Sequence, residues 1–232
     1  FVIEGVRLCE EAQASGWEFD FLLTAENLSP RGRALVERLA GAGAEVEETT
    51  ADLLNRAADT ETSQGILAVL RWRELPLPPA PDFLLVCDNL RDPGNLGTIL
   101  RTALAAGVQG VLLTPGTTDA FAPKVLRAGM GAHFRLPVIE TGWAELETIL
   151  RNPARPLALL AAESEEGVAC WQADLKRALA LAVGGEAEGV SPQTRALAES
   201  CLRIPMPGGS ESLNAAVAAA VLMFEVTRQR SL

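Results

Sequence analysis

From Asp82 onward, short uninterrupted apolar runs alternate with segments of helical spacing, and this alternation constrains the fold more than any other feature of the chain. The runs are "DFLLVCDNL", "VQGVLLTPG", "FRLPVIE", "PLALLAAE", "ALALAVGG" and "CLRIPM". A strand with one wet face alternates apolar and polar residues; these runs do not, so both faces must be covered. Between them "NLGTILRTALAAG", "APKVLRAGMGA", "WAELETILRN" and "SPQTRALAES" read as helices. A short helix is expected over "DLKRAL", and a final one from about Leu213 to Gln229. Buried strands alternating with helices predict an α/β domain whose mostly parallel sheet lies between helix layers.

A smaller α/β unit precedes it. Val6 to Ala14 has helical spacing, "FDFLLTA" and "AEVEET" read as strands, and "ADLLNRAAD" as a helix before a last strand in "GILAVLRW". Ser29 and Pro30 stand where a cap and a first helical residue belong, at the head of "SPRGRALVERLAGAG". Pro76, Pro78, Pro79 and Pro81 then crowd one segment, which fixes φ and removes N–H donors. The division expected is residues 1–72, a Pro-rich linker over 73–82, and a second domain over 83–232.

Composition narrows the function classes. The 232 residues are enough for a substantial core, and the longest apolar run, Ala215 to Phe224, falls short of the ~18 residues a membrane helix needs. No membrane association is expected. The chain opens on Phe1, which is read as a missing N-terminus, and no secretion signal is expected. Cys9, Cys87, Cys170 and Cys201 are scattered without a CxxC, as reduced thiols of a cytoplasmic protein would be. A single histidine, His133, cannot build a metal site, so no metal is expected. The net charge is −10, with seven basic against fourteen acidic residues up to Leu75. That balance opposes broad adhesion to nucleic acid but leaves room for a local arginine cluster, such as Arg31, Arg33, Arg71 and Arg73.

In a sheet of this kind ligands bind beyond the carboxyl ends of the strands, so the strand-exit loops are the places to search. In "DNLRDPGNLGTILRTALAAG", Asn95 is placed to cap the next helix, and Arg101 sits at the edge of that helix's apolar face, where a guanidinium calls for an anion. Gly184 and Gly185 follow a buried strand and lead into Glu186, without a dinucleotide or Walker fingerprint. In "IPMPGGSESLNAAVAAAVLMFE", Ser212 and Asn214 bring polar groups to the first turn of an apolar helix. Each also has an ordinary structural reading: a cap, a snorkelling arginine, a tight turn.

Taken in order, Asn95 to Arg101 as N-x5-R, then G-x-E-x-E-G from Gly184 to Gly189, then the stretch from Ile204 to Asn214 resemble the three motifs of the SPOUT superfamily, in its TrmH/SpoU branch of RNA ribose 2′-O-methyltransferases. "FVIEGVRLCEEAQASG" and "ETSQGILAV" resemble the family's small N-terminal substrate-binding domain, with its ribosomal-protein-like α/β fold. The resemblance implies a catalytic domain tied as a trefoil knot and a homodimer through the last helix, where Leu213, Val217, Val221 and Phe224 form a stripe. It implies S-adenosyl-L-methionine as cofactor, lined by Thr114, Pro115, Gly116, Gly184, Gly185, Glu186, Gly189, Ile204, Met206 and Leu213. It implies catalytic roles for Asn95, Arg101, Glu186, Ser212 and Asn214, with Ala215-Ala216 where the family has Val-Ser. The N-terminal unit points to ribosomal RNA as substrate. A transfer-RNA enzyme and a non-catalytic RNA-binding homologue are the alternatives, and the missing dinucleotide fingerprint counts against an oxidoreductase.

Overall fold

The computed structural model describes residues 1–185 and 188–232. Its first part runs β1 (Val2–Glu4), α1 (Val6–Ala14), β2 (Phe19–Ala25), α2 (Pro30–Gly41), β3 (Glu45–Thr49), α3 (Ala51–Ala57) and β4 (Ile66–Leu70). These strands form a mixed sheet in the order β1-β4-β2-β3, antiparallel except for the β2–β3 pair. Helix α2 starts where the chemistry demands: Ser29 Oγ accepts the Gly32 N–H at 3.1 Å, with Pro30 in the first turn.

Residues 71–82 contain no helix or strand. Beyond them come β5 (Phe83–Asp88), α4 (Pro93–Ala105), β6 (Val111–Leu113), α5 (Pro123–Gly129), β7 (Val138–Glu140) and α6 (Trp143–Leu150). The chain finishes with β8 (Ala158–Glu163), β9 (Val168–Ala169), β10 (Leu179–Gly184), α7 (Pro192–Leu197), β11 (Ser200–Arg203) and α8 (Ala215–Arg230). The seven strands pair in the order β7-β6-β5-β10-β8-β11-β9, every pair parallel. Every residue of β5 and β10 is buried, as their continuous apolar runs require. The pleat divides them between two cores: Phe83, Leu85 and Cys87 pack with Ile99 of α4 and Leu222 of α8, whereas Leu84 and Val86 pack with Leu146 and Leu150 of α6.

The strand order departs from the open doubly wound sheet that general topology rules favour. Such a sheet would seat β8 beside β5. Here β10, late in the chain, takes that position, and β11 lies between β8 and β9. The exits of β5 and β10 are thereby made neighbours.

The two sheets share a core. Leu126 and Phe134 join Ile3, Val6, Leu22 and Leu35. Trp17 Nε1 donates to the Phe134 carbonyl at 3.1 Å, and Arg135 pairs with Glu11 at 2.7 Å.

Three expectations need correction. "DLKRAL" is not helical: buried Leu175 is held as a loop, its N–H donating to Gln229 Oε1 of α8 at 3.1 Å. Asn95 does not cap α4, because Asp92 does, accepting the Asn95 N–H at 2.7 Å. The arginines proposed as a phosphate track are largely engaged. Arg31 grips Glu10, Arg71 grips Glu18 and Asp20, and Arg73 donates to the Ser15 and Gly16 carbonyls.

Candidate active site

A cavity of about 290 Å³ opens at the carboxyl ends of β8, β10 and β11 and is closed on one side by the start of α8. Its lining includes Gly184, Gly185 and Gly189 from the β10 exit, and Ile204 and Met206 from the β11 exit. Ser212 and Leu213 join them just before α8, whose Ala215, Ala218 and Leu222 complete an apolar wall. Six of the ten residues expected to line a cofactor therefore meet here. Thr114, Pro115 and Gly116 do not line it; Thr114 is buried beneath the β5 exit, its hydroxyl donating to Asp88 Oδ1 at 2.5 Å. Glu186 lies outside the described residues.

A second depression adjoins the first. Asn89, Leu90, Arg91, Asp92 and Asn95 line it, and it shares Gly185 and Glu188 with the cavity. Two motifs more than a hundred residues apart touch at this point: Asn214 Nδ2 donates to Asn95 Oδ1 at 3.0 Å. Asn214 is also the cap of α8, its Oδ1 accepting from Ala216 N at 3.0 Å and Val217 N at 3.3 Å.

Arg101 lines neither depression. It lies on α4 six residues past Asn95, about 9 Å further along the axis. Its side chain is exposed, and its guanidinium makes no ion pair or hydrogen bond among the described residues. The burial cost that sequence spacing suggested is absent; what stands there is an arginine open to an anion.

Close packing of backbone accounts for the glycines of the β10 exit. A Cβ on Gly184 would stand 2.0 Å from the Gly189 carbonyl carbon, and one on Gly185 would stand 2.9 Å from the Asn89 carbonyl oxygen. Backbone excludes a side chain at both positions, that of the turn itself at Gly184 and that of the β5 exit at Gly185. Gly189 is required by its φ of +65°. Gly208 meets nothing within 4 Å.

Sequence reasoning passed over three carboxylates. Asp88, fully buried, ties three loops together: it accepts from Thr114 and, at 2.6 Å, from Ser191 N just past the glycine turn. Glu188 and Glu163 line the cavity, the first accepting from Asn89 Nδ2 at 3.1 Å and the second paired with Arg195. Glu188 stood inside the G-x-E-x-E-G stretch, and Asp88 closed the five apolar residues from Phe83 to Cys87; those were the available signals.

Among the described residues no set of His, Cys, Asp and Glu converges to hold a metal, and no helix is long and apolar enough to cross a membrane.

A knot of strand exits lined by backbone and small apolar groups, beside paired asparagines, matches what the comparisons with known proteins return. The SpoU rRNA Methylase family matches residues 82–224, and the MRM3-like substrate binding domain matches residues 1–68. The chain belongs to the SpoU rRNA methylase family. It is 37% identical to human "rRNA methyltransferase 3, mitochondrial" over 231 residues, covering 74% of this chain and 54% of that one. It is 35% identical to the Bacillus subtilis "23S rRNA (guanosine(2553)-2′-O)-methyltransferase RlmP", covering 97% and 88% of the two chains. Among solved structures, the SpoU methyltransferase AviRb from Streptomyces viridochromogenes, in complex with the cofactor AdoMet, superposes with a TM-score of 0.89 at 28% identity, covering 100% and 90%. The chain spans about half the length of the mitochondrial relatives it matches.

Proposed function

We propose that this chain transfers a methyl group from S-adenosyl-L-methionine to a ribose 2′-OH of ribosomal RNA. The observation that carries the reading is the Asn214–Asn95 hydrogen bond, which joins the first and third motifs at the rim of the cavity lined by the second. The cavity suits the cofactor chemically. Ile204, Met206, Leu213 and Leu222 offer apolar surface for an adenine, and the glycine turn presents bare backbone amides and carbonyls. Glu188 and Glu163 supply negative charge for a ligand carrying a sulfonium and an ammonium. When bound, the cofactor supplies an electrophilic methyl carbon.

The chain's own residues do the rest. Ser212 and Asn214 sit where α8 begins and orient a ribose against the cavity mouth. Holding the reacting oxygen in line is worth roughly 7–11 kcal/mol of barrier in well-oriented systems. The exposed Arg101 guanidinium serves as an anion anchor, gripping the RNA phosphate and stabilising the developing 2′-oxyanion; the proton leaves to phosphate or water. Asn95 and Glu186 orient these groups. Ribosomal RNA is favoured as the substrate class by the match of residues 1–68 to an MRM3-like substrate binding domain and by the names of the relatives.

A homodimer through α8 belongs to the same reading. Val217, Val221 and Phe224 are 40–49% exposed along one stripe of that helix. We keep the cytoplasm as the compartment, supported by four free cysteines, of which the Cys9 thiol is pushed up to about 12 and the Cys87 thiol also up, both by burial.

The test is calorimetric titration with S-adenosyl-L-methionine, followed by single-turnover methyl transfer to ribosomal RNA and mass mapping of the product. Arg101→Ala is expected to bind cofactor normally and to lose ~10²–10⁴ in rate. An unchanged single-turnover rate removes Arg101 from the mechanism; failure to bind cofactor leaves an RNA-binding homologue.

A further inference from the structure

The exit of β5 carries a residue that the mechanism above does not use. Asn89 directly follows the last residue of β5 and has a φ of +53°, one of two positive values at non-glycine positions among the described residues. Glycine adopts this conformation without steric cost, and asparagine is one of the few other residues that tolerate it. The backbone alone would therefore be served by glycine. The surroundings are built around the amide instead: a Cβ on Gly116, a residue expected to line the cofactor, would stand 2.5 Å from Asn89 Oδ1.

Both ends of that amide are engaged. Its Nδ2 donates to Glu188 Oε2 at 3.1 Å, across 99 positions of the chain, and its Oδ1 accepts from Arg91 Nε at 3.2 Å. A neutral amide can satisfy a carboxylate and a guanidinium at once, donating to the first and accepting from the second. The two partners face different spaces. Glu188 lines both the cavity and the adjoining depression, whereas Arg91 lines only the depression, where Asn95 also stands. Glu188 and Arg91 hold each other weakly: their charged atoms are 3.9 Å apart and their side chains 67% and 73% exposed, so solvent screens the pair. The asparagine is what sets them in place. With Nε committed to Asn89, the terminal nitrogens of Arg91 make no hydrogen bond among the described residues, and that fork suits a phosphate. Arg101, by contrast, lines neither depression.

We infer that Asn89 is a positioning residue for methyl transfer. It fixes Glu188 on the cofactor side and Arg91 on the RNA side, where the Arg91 guanidinium grips a phosphate next to the target ribose. The two substrates are thereby brought into one register. This role rests on the methyl-transfer reading above.

The test uses the full chain with S-adenosyl-L-methionine and ribosomal RNA. Asn89→Gly keeps the backbone conformation and deletes the amide, so its thermal midpoint should stay close to that of the parent. It is expected to bind the cofactor about three- to tenfold more weakly in calorimetry and to raise KM for RNA about tenfold. Arg91→Ala should raise KM for RNA by a similar factor with cofactor affinity unmoved, and Arg91→Lys should not restore it, because an ammonium lacks the Nε tether and the fork. Glu188→Gln should weaken cofactor binding alone. Asn89→Gly combined with Arg91→Ala should raise KM little beyond either change, since the two act through one contact. A parent that neither binds the cofactor nor methylates RNA overturns the methyl-transfer reading itself. With an active parent, parental KM and cofactor affinity in Asn89→Gly overturn the positioning role alone. Full rescue by Arg91→Lys, or additive effects in the double variant, overturn it too. Should Asn89→Gly lower the midpoint, the comparison of Arg91→Ala with Arg91→Lys still decides, because Arg91 is exposed.

Discussion

Gly184 shows how a single missing side chain can hold a site open. The glycine turn folds back so closely that a β-carbon there would overlap the Gly189 carbonyl. Gly184→Ala is expected to destabilise the fold by about 1–3 kcal/mol, the range for overpacking a tight interior, and to abolish cofactor binding before it unfolds the chain. Denaturant melts beside a binding isotherm check both. His133 is the residue for a pH test. Burial lowers its pKa from 6.5 to about 4, and the nearby Ala120 backbone and Asp119 carboxylate offset this only in part. Between those two values the unfolded chain holds a proton that the folded chain refuses, so stability falls as pH drops through that window. The loss amounts to roughly 3 kcal/mol across it. His133→Gln should flatten the slope of unfolding free energy between pH 6.5 and 4; an unchanged slope would assign it to other groups.

At the scale of elements, α8 serves both structure and site. Its cap, Asn214, takes two backbone N–H groups with its oxygen and gives its amide hydrogen to Asn95. Those two roles can be separated. Asn214→Ser keeps a capping oxygen but lacks the amide donor, so it should leave the thermal midpoint close to that of the parent while slowing methyl transfer. Asn214→Ala loses both, and about 1 kcal/mol of stability with the cap. Equal rates for Ser and parent would show that the asparagine pair is only structural. The far end of α8 explains the loop that replaced an expected helix. Gln229 accepts from Leu175 N, and Arg230 donates to the Leu175 and Arg177 carbonyls and to Asp82. Local propensity over six residues could not compete with backbone groups satisfied by another element.

At the scale of the molecule, the exposed stripe of α8 is the face that the proposed homodimer would use. Val221→Glu with Phe224→Glu is expected to yield monomers in analytical ultracentrifugation. Both side chains point outward, so the thermal midpoint of the isolated chain should move little. A variant that still sediments with the parent would locate the interface elsewhere. The union of the two sheets is also a whole-molecule property. The segment rich in proline reads as a spacer, but Trp17 and Phe134 bury the junction and make one core of both parts.

The sequence by itself determined most of the strands and helices, "DLKRAL" and the short β9 excepted, because a continuous apolar run buried on both faces admits few alternatives. It also carried the order of the three motifs, which lay in the strand exits where α/β ligands bind. Only tertiary structure decided that β10 sits beside β5 and that Asp88 ties three loops together. The physical reason is one of range. Periodicity and capping are written into neighbouring residues, whereas strand order and the partners of a buried carboxylate depend on groups about thirty to a hundred residues away, brought close only when the sheet closes.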